Sequence, residues 1–259
     1  MKLNDKVVLV TGAGSGMGRE ITLELVRRGA RVTAVDMHQS SVEETARLAG
    51  SAVTPFTLDV TDRAAVAALP AQVGTIDALI NNAGIIQPFV PIKDLTIEQA
   101  EKVMNVNFYG PFTLIKAFLP GLLARPEAHI LNVSSMGAYA PVPGQSVYGA
   151  SKAAVKLLTE GLRSELMGTN VGVTVVFPGA VATNITTNSG LAMPDVEVDS
   201  SKFKSLPAPI AAKKMVDAIE KNKPRITVGK DAAMMDRLSR INPIFAANLI
   251  YKQMKSLLG

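Results

Sequence analysis

The chain has no cysteine and only two histidines in 259 residues. Without cysteine there is no disulfide framework, no thiolate metal site and no thiol nucleophile. His38 and His129 are too few and too scattered for a histidine-based zinc site, so no metal is expected. No run approaches the roughly 18 uninterrupted apolar residues of a membrane span. Met1 to Asp5 lead straight towards a strand with no basic and apolar export segment. A soluble, cytoplasmic protein is expected.

What is present fits one large α/β domain covering residues 1–259. The net charge is +5 and unevenly placed, with ten cations against four acids from Ala211 onward. That basic region suits contact with an anionic surface, a membrane among them, or with an anionic substrate, or is a solvated face. No basic stretch is interleaved with aromatics and no nucleic-acid motif is found, so nucleic acid is not an expected partner.

Lys6 to Val10 is a β-branched run ending at Thr11, followed at once by Gly12, Ala13, Gly14, Ser15, Gly16, Met17 and Gly18. Arg19 to Arg28 has helical spacing of Ile21, Leu25 and Val26 and stops at Gly29, which tolerates a left-handed helix end. In a strand, glycine turn and helix, the glycines let backbone approach a pyrophosphate that the helix's free amides hold. The spacing is Thr-Gly-x-x-x-Gly-x-Gly rather than the commoner Gly-x-Gly-x-x-Gly, and a ligand-free tight turn is the alternative. Arg31 to Val35 reads as a strand ending at Asp36. A carboxylate there accepts from ribose hydroxyls and repels a 2′-phosphate, favouring NAD over NADP. A helix-capping role is the alternative for Asp36, and Arg19 lies near enough to oppose the preference.

Ala52 to Leu58 is a third strand ending at Asp59 and Val60, where Asp59 is placed to meet an adenine end. Asp62 caps a helix over Arg63 to Leu69. Ala78 to Ile80 is a fourth strand, running into Asn81, Asn82, Ala83 and Gly84, which suit close approach of a flat ligand or bracing of two loops. Thr96 and Gln99 have capping-box spacing, and helical periodicity then continues to Asn107, which at a kink can bond backbone or a water. Strands alternating with helices indicate a doubly wound parallel sheet.

His129 to Val133 is an apolar run ending near Ser134 and Ser135, and a strand there puts a hydroxyl at its carboxyl end, where open α/β sheets bind ligands. Tyr148 and Lys152, at the start of a helix, share a face one turn apart. A free phenol titrates near pH ~10. A unit positive charge about 4 Å away, at an effective dielectric of about 20, is worth roughly 4 kcal/mol, enough to bring Tyr148 near neutrality. Such a phenol exchanges a proton with a carbonyl or alcohol oxygen. The alternative is an ordinary half-buried tyrosine beside a solvated lysine.

With Thr11 to Gly18, Asn81 to Gly84, Asn107, Ser135, Tyr148, Lys152 and Pro178 to Thr183 in order, the chain resembles the short-chain dehydrogenase/reductase superfamily from about Lys6 to Val228. The resemblance implies a Rossmann-like, doubly wound parallel sheet flanked by helices and an NAD(P)-dependent oxidoreductase acting on CH–OH groups. It implies that Tyr148 is the general acid/base, that Ser135 orients the substrate oxygen, and that Lys152 binds the nicotinamide ribose and lowers the tyrosine pKa. Asn107 would hold a relay water. Gly12, Ser15, Gly16, Met17, Gly18, Asp36, Asp59, Val60, Asn82, Ala83, Gly84, Pro178, Gly179, Val181 and Thr183 would line the cofactor.

Residues 183–206, with no clear periodicity, fall where that family carries its substrate lid. With Ile86, Val142 and Pro143 they suggest an apolar pocket for a hydrophobic secondary alcohol or ketone. Pro243 to Leu258 reads as an amphipathic helix with Ala247, Ile250, Met254 and Leu257 on one face. It could pack on its own domain, on a neighbour or on a membrane surface. A homo-oligomer, dimer or tetramer, is expected from the resemblance.

Overall fold

Valine, isoleucine and leucine dominate the segments that pair into the sheet, the composition of strands covered on both faces. In the computed structural model, which describes residues 1–183, 185–191 and 205–255, the first half runs β1 (Val7–Thr11), α1 (Gly16–Arg27), β2 (Arg31–Asp36), α2 (Gln39–Ala49), β3 (Val53–Thr57), α3 (Arg63–Val73), β4 (Ala78–Asn81), α4 (Ile97–Met104) and α5 (Gly110–Leu123). There follow β5 (Ala128–Val133), α6 (Ser146–Glu165), β6 (Val171–Pro178), β7 (Val181–Ala182), α7 (Ile185–Asn188), β8 (Leu206–Pro207), α8 (Ala208–Glu220), β9 (Arg225–Val228), α9 (Lys230–Ile241) and α10 (Pro243–Met254).

Seven strands form a parallel sheet in the order β3-β2-β1-β4-β5-β6-β9. The strand order turns back between β1 and β4, where Val8 pairs with Ala78 and Val10 with Ile80. Carboxyl ends that diverge at such a point leave a ligand crevice. One face is covered by α1, α2 and α8, through Ile21, Leu25, Val42, Met215 and Ile219. The other is covered by α3, α5 and α6, through Leu69, Leu114, Phe118 and Leu162.

Both capping expectations are met. Asp62 accepts from Ala64 N and Ala65 N, and Thr96 and Gln99 form the reciprocal box. The helix approaching Asn107 does not simply kink. It passes through a π-helical turn, Asn105–Tyr109, before resuming as α5 despite Pro111 and Pro120. The helix carrying Tyr148 begins two residues earlier than its spacing suggests, at Ser146.

His129 lies buried in β5 with Nε2 2.8 Å from Thr174 Oγ1, and burial lowers its pKa to about 3. The unfolded chain therefore takes up a proton that the folded chain refuses. This contribution to stability is complete above pH ~6.5 and is lost as the pH falls towards about 3, on the order of 5 kcal/mol in all. Urea unfolding at pH 7, 5.5 and 4 is expected to show that loss, with a shallower dependence in His129→Gln. Equal slopes would count against it.

Candidate active site

The glycine turn after β1 is pressed against the end of β4. Gly12 and Gly16 have φ of +64° and +49°, which L side chains rarely adopt. A Cβ on Gly12 would stand 2.9 Å from Ala83 Cα, and one on Gly18 would overlap the Gly12 carbonyl oxygen. Thr11 Oγ1 accepts from the backbone amides of Asn82 and Ala83, each at 3.1 Å. The Asn82 side chain donates to Thr11 O at 3.0 Å, while its Oδ1 is buried with no partner. Met17 packs on the core below the turn, and Ser15 Oγ accepts from Asn188 Nδ2 at 2.7 Å.

Asp36 closes the neighbouring edge, with Oδ2 accepting from Gly14 N at 2.9 Å and Oδ1 from His38 N at 3.0 Å. Arg19 lies across the same loop, donating from Nε to Thr45 Oγ1 at 3.0 Å and from Nη2 to the Gly14 carbonyl. Asp59 is exposed beyond β3, its carboxylate accepting from the amide and hydroxyl of Thr61. Val60 is buried, 3.0 Å from where a Gly110 Cβ would stand.

Asn107, Ser135, Tyr148 and Lys152 fall into two adjoining pairs. A Cβ on Gly137 would lie 3.3 Å from Tyr148 Cε1 and 3.4 Å from Ser135 Oγ, so the phenol ring and the hydroxyl flank this glycine. One on Gly84 would lie 3.0 Å from Lys152 Nζ and 3.2 Å from Asn107 Oδ1. Asn107, fully buried in the π-helical turn, exchanges two 2.9 Å hydrogen bonds with the backbone of Ile85 and donates to Ser151 Oγ at 3.0 Å. It therefore ties the loop after β4 to α6.

The electrostatics differ from the sequence expectation. Lys152 is buried, its Nζ donates to Val133 O at 3.1 Å, and it stands 6.0 Å from the Tyr148 ring centroid. Burial pushes the Tyr148 phenol above its ordinary pKa, and the Ser135 hydroxyl pulls it part of the way back. Burial also lowers the Lys152 ammonium to about 8. In the protein alone, desolvation outweighs the attraction that was expected to bring Tyr148 towards neutrality.

Pro178 to Thr183 lies across the turn from Ser15. Gly179 N donates to Val228 O at 2.8 Å, and Ala180 N to Asp231 Oδ2 at 2.7 Å; a Cβ on Gly179 would overlap that carboxylate. Val181 pairs with Leu206, and Thr183 Cβ lies 3.3 Å from where a Gly16 Cβ would be. Just beyond α7, Ser189 Oγ accepts from Ile86 N at 3.0 Å, so this segment bridges the loops after β1 and β4. Of the lid expected at 183–206, residues 184 and 192–204 lie outside the described residues, as do 256–258 of the terminal helix.

The sequence reading missed Gln87. It is 1% exposed, and its Oε1 accepts from Val147 N at 2.8 Å and Tyr148 N at 2.9 Å. Its Nε2 donates to Gly144 O at 2.9 Å, and its carbonyl accepts from Gln145 Nε2 at 2.7 Å. A side chain 61 residues upstream of Tyr148 thus caps α6, whose N-cap residue Gln145 supplies no side-chain cap. No local signal hinted at it, because Ser146, two residues before Tyr148, stands where a cap would be sought in the sequence. Gln87→Met keeps the shape but frees two helix amides. We expect it to lower stability by about 1–2 kcal/mol. We also expect a kcat loss of about 10- to 100-fold with cofactor affinity nearly unchanged. Thermal unfolding, cofactor titration and steady-state kinetics check this, and unchanged kcat would remove Gln87 from any role in placing Tyr148.

A family profile described as short chain dehydrogenase matches residues 6–193. The chain is 36% identical over 250 residues to SadH of Mycobacterium tuberculosis, named as an oxidoreductase, with 91% of this chain and 90% of that protein covered. It is 37% identical over 215 residues to dehydrogenase/reductase SDR family member 7B of Mus musculus, covering 79% of this chain and 64% of that protein. A short chain dehydrogenase from Burkholderia cenocepacia J2315, solved in complex with NADP, superposes with a TM-score of 0.82 at 28% identity, covering 96% and 99% of the two chains. A short chain dehydrogenase/reductase from Burkholderia phymatum, in complex with NAD, gives 0.83 at 26% identity, covering 92% and 94%. On this profile match, these relatives and the shared fold, the chain belongs to the short-chain dehydrogenase/reductase family of NAD(P)-dependent oxidoreductases.

Proposed function

We propose that this enzyme interconverts a hydrophobic secondary alcohol and its ketone with NAD, and that Tyr148 is the general acid/base. The observation that carries the reading is the meeting of Tyr148 with Ser135 around Gly137, beside Lys152 and Asn107 around Gly84, at the strand ends next to the glycine turn.

The residues fit a dinucleotide. Gly12 and Gly18 leave no room for a side chain, and Asn82 Oδ1 is a buried acceptor left open. Gly12, Ser15, Gly16, Met17 and Gly18 would hold the pyrophosphate, Asp36 the adenosine ribose, and Asp59 and Val60 the adenine end. Asn82, Ala83, Gly84, Pro178, Gly179, Val181 and Thr183 would surround the nicotinamide half, with Lys152 on its ribose. When bound, the nicotinamide supplies the acceptor or donor of hydride. Ser135 orients the substrate oxygen, and Tyr148 gives or takes the proton on it. Asn107 keeps the loop after β4 and α6 in register, and a water beside it would carry the proton onward from Lys152.

Asp36 supports NAD, because a 2′-phosphate beside its carboxylate meets like charge. Arg19, held on the same loop, is the group that would offset this for NADP. Ile86, Val142 and Pro143 support an apolar substrate. Phe112, Leu123 and Leu157, exposed on α5 and α6, support a homo-oligomer formed through those helices.

The test is turnover of a panel of secondary alcohols, sterols and small hydroxy acids with NAD and with NADP, for wild type and Asp36→Ser. The reading expects NAD-dependent oxidation of apolar alcohols and a shift towards NADP in the variant. Turnover confined to charged hydroxy acids would overturn the substrate class, and NADH binding without any turnover would mean a nucleotide sensor.

A further inference from the structure

The α9–α10 hairpin has two unlike faces. Inward, Met235, Ala246 and Ile250 are buried with Ala140 and pack on Met136, Tyr139 and Val142, the loop just after Ser135. Tyr139 Oη donates to Ala232 O at 2.9 Å. Outward, Met234, Ile241, Ile244, Phe245 and Tyr251 stand exposed, Ile241 by 83% and Ile244 by 74%. They are five of the fifteen large apolar side chains exposed among the described residues, gathered within one hairpin. The turn is an apolar tip, since every residue from Ile241 to Phe245 is exposed.

The charge on this outer face is of one sign. Lys230, Arg237, Arg240, Lys252 and Lys255 are exposed, and Lys230, Met234, Arg237 and Ile241 follow one another at helical spacing along a shallow groove. Of the hairpin's two acids, Asp231 accepts from Ala180 N, and Asp236 pairs with Arg225 at 2.7 Å and with Arg240 at 3.2 Å, so Lys230, Arg237, Lys252 and Lys255 are the cations that set the charge of the outer face.

We infer that the tip and outer face of the α9–α10 hairpin dock on an anionic lipid surface. Apolar side chains enter the headgroup layer and the cations meet lipid phosphates, the combination that holds an amphipathic helix at an interface. The contact is peripheral, because no described helix is long and apolar enough to cross a membrane. A second copy is the poorer occupant, since a two-fold contact through this face would set its cations against themselves. The docking stands apart from the catalytic reading. If both hold, the loop after Ser135 lies directly behind the membrane-facing hairpin and can be supplied with apolar alcohol from the bilayer.

Flotation with phosphatidylcholine vesicles, with and without phosphatidylglycerol, tests the surface without any activity assay. Wild type is expected to float with the anionic vesicles only and to be released by salt. Ile241→Ser/Ile244→Ser/Phe245→Ser changes only exposed positions and is expected to bind at least about tenfold more weakly at an unchanged thermal midpoint. Arg237→Gln/Lys252→Gln is expected to weaken binding by about 10-fold or more. Absence of flotation, or equal flotation of wild type and the triple variant, would overturn the inference. So would a vesicle-free dimer that the triple variant abolishes, which would assign the face to a second copy.

Discussion

Tyr148→Phe is expected to lower kcat by about 10²- to 10⁴-fold, the span that a positioned proton donor or acceptor contributes. The substitution removes one oxygen and leaves the ring beside Gly137, so α6, the glycine turn and the dissociation constant for NADH should change little. The loss is expected at every pH, because no neighbouring group stands ready to replace the phenol. Ser135 is an aliphatic alcohol, too weak an acid to give up its proton near neutral pH, and Lys152 Nζ donates to Val133 O at 3.1 Å. Steady-state kinetics with NADH titration separate the two effects. A fall in cofactor affinity that accounts for the whole loss would show that Tyr148 binds rather than transfers protons.

The second large effect concerns Lys152, and it can be read from stability as well as rate. Burial lowers its pKa from 10.5 to about 8, so the folded chain holds a charged ammonium against a desolvation penalty that the unfolded chain does not bear. Between these values the unfolded state binds more protons, and stability rises with pH. The opposite effect begins near pH ~10, where the raised pKa of Tyr148 lets the folded chain keep a proton that the unfolded chain releases. The window is therefore about pH 8 to 10, with a rise on the order of 2 kcal/mol. Lys152→Met is expected to abolish that rise and to be at least as stable as wild type at pH 7. Turnover should nevertheless fall by about 10²-fold or more, as expected for loss of a fixed charge at the reacting centre. Urea unfolding at pH 7.5, 8.5 and 9.5 decides it: an unchanged slope in the variant would mean that Lys152 is solvated in solution.

What the sequence made legible was local. The glycine turn, Asp36 at the end of β2, the Asp62 cap and the Thr96–Gln99 box each declare themselves within a few residues, and each is present. The alternation of strands with helices was enough to place Ser135 and Gly84 at strand ends. What stayed hidden depends on residues far apart in the chain. Gln87 caps a helix 61 residues away, and Asp231 fixes Ala180 across 51 residues. Neither leaves a periodic trace. The π-helical turn at Asn107 was visible only as an asparagine near a kink, because one extra residue in a helix barely disturbs apolar spacing. The Tyr148–Lys152 pair shows the other limit. Spacing put both groups on one face of α6, but Coulomb attraction at an assumed distance could not say that burial dominates or that the ammonium is drawn to Val133 O.

The central claim is that hydride passes between the substrate carbinol carbon and a nicotinamide held at this site, while Tyr148 handles the proton. The most direct measurement uses NAD and an apolar secondary alcohol deuterated at the carbinol carbon, with mass analysis of the reduced cofactor. One deuterium in each reduced cofactor formed by wild type, with labelled cofactor formed about 10²- to 10⁴-fold more slowly by Tyr148→Phe, is the result expected. Tight NADH binding with no label transferred from any alcohol, or transfer undiminished in Tyr148→Phe, would contradict the claim.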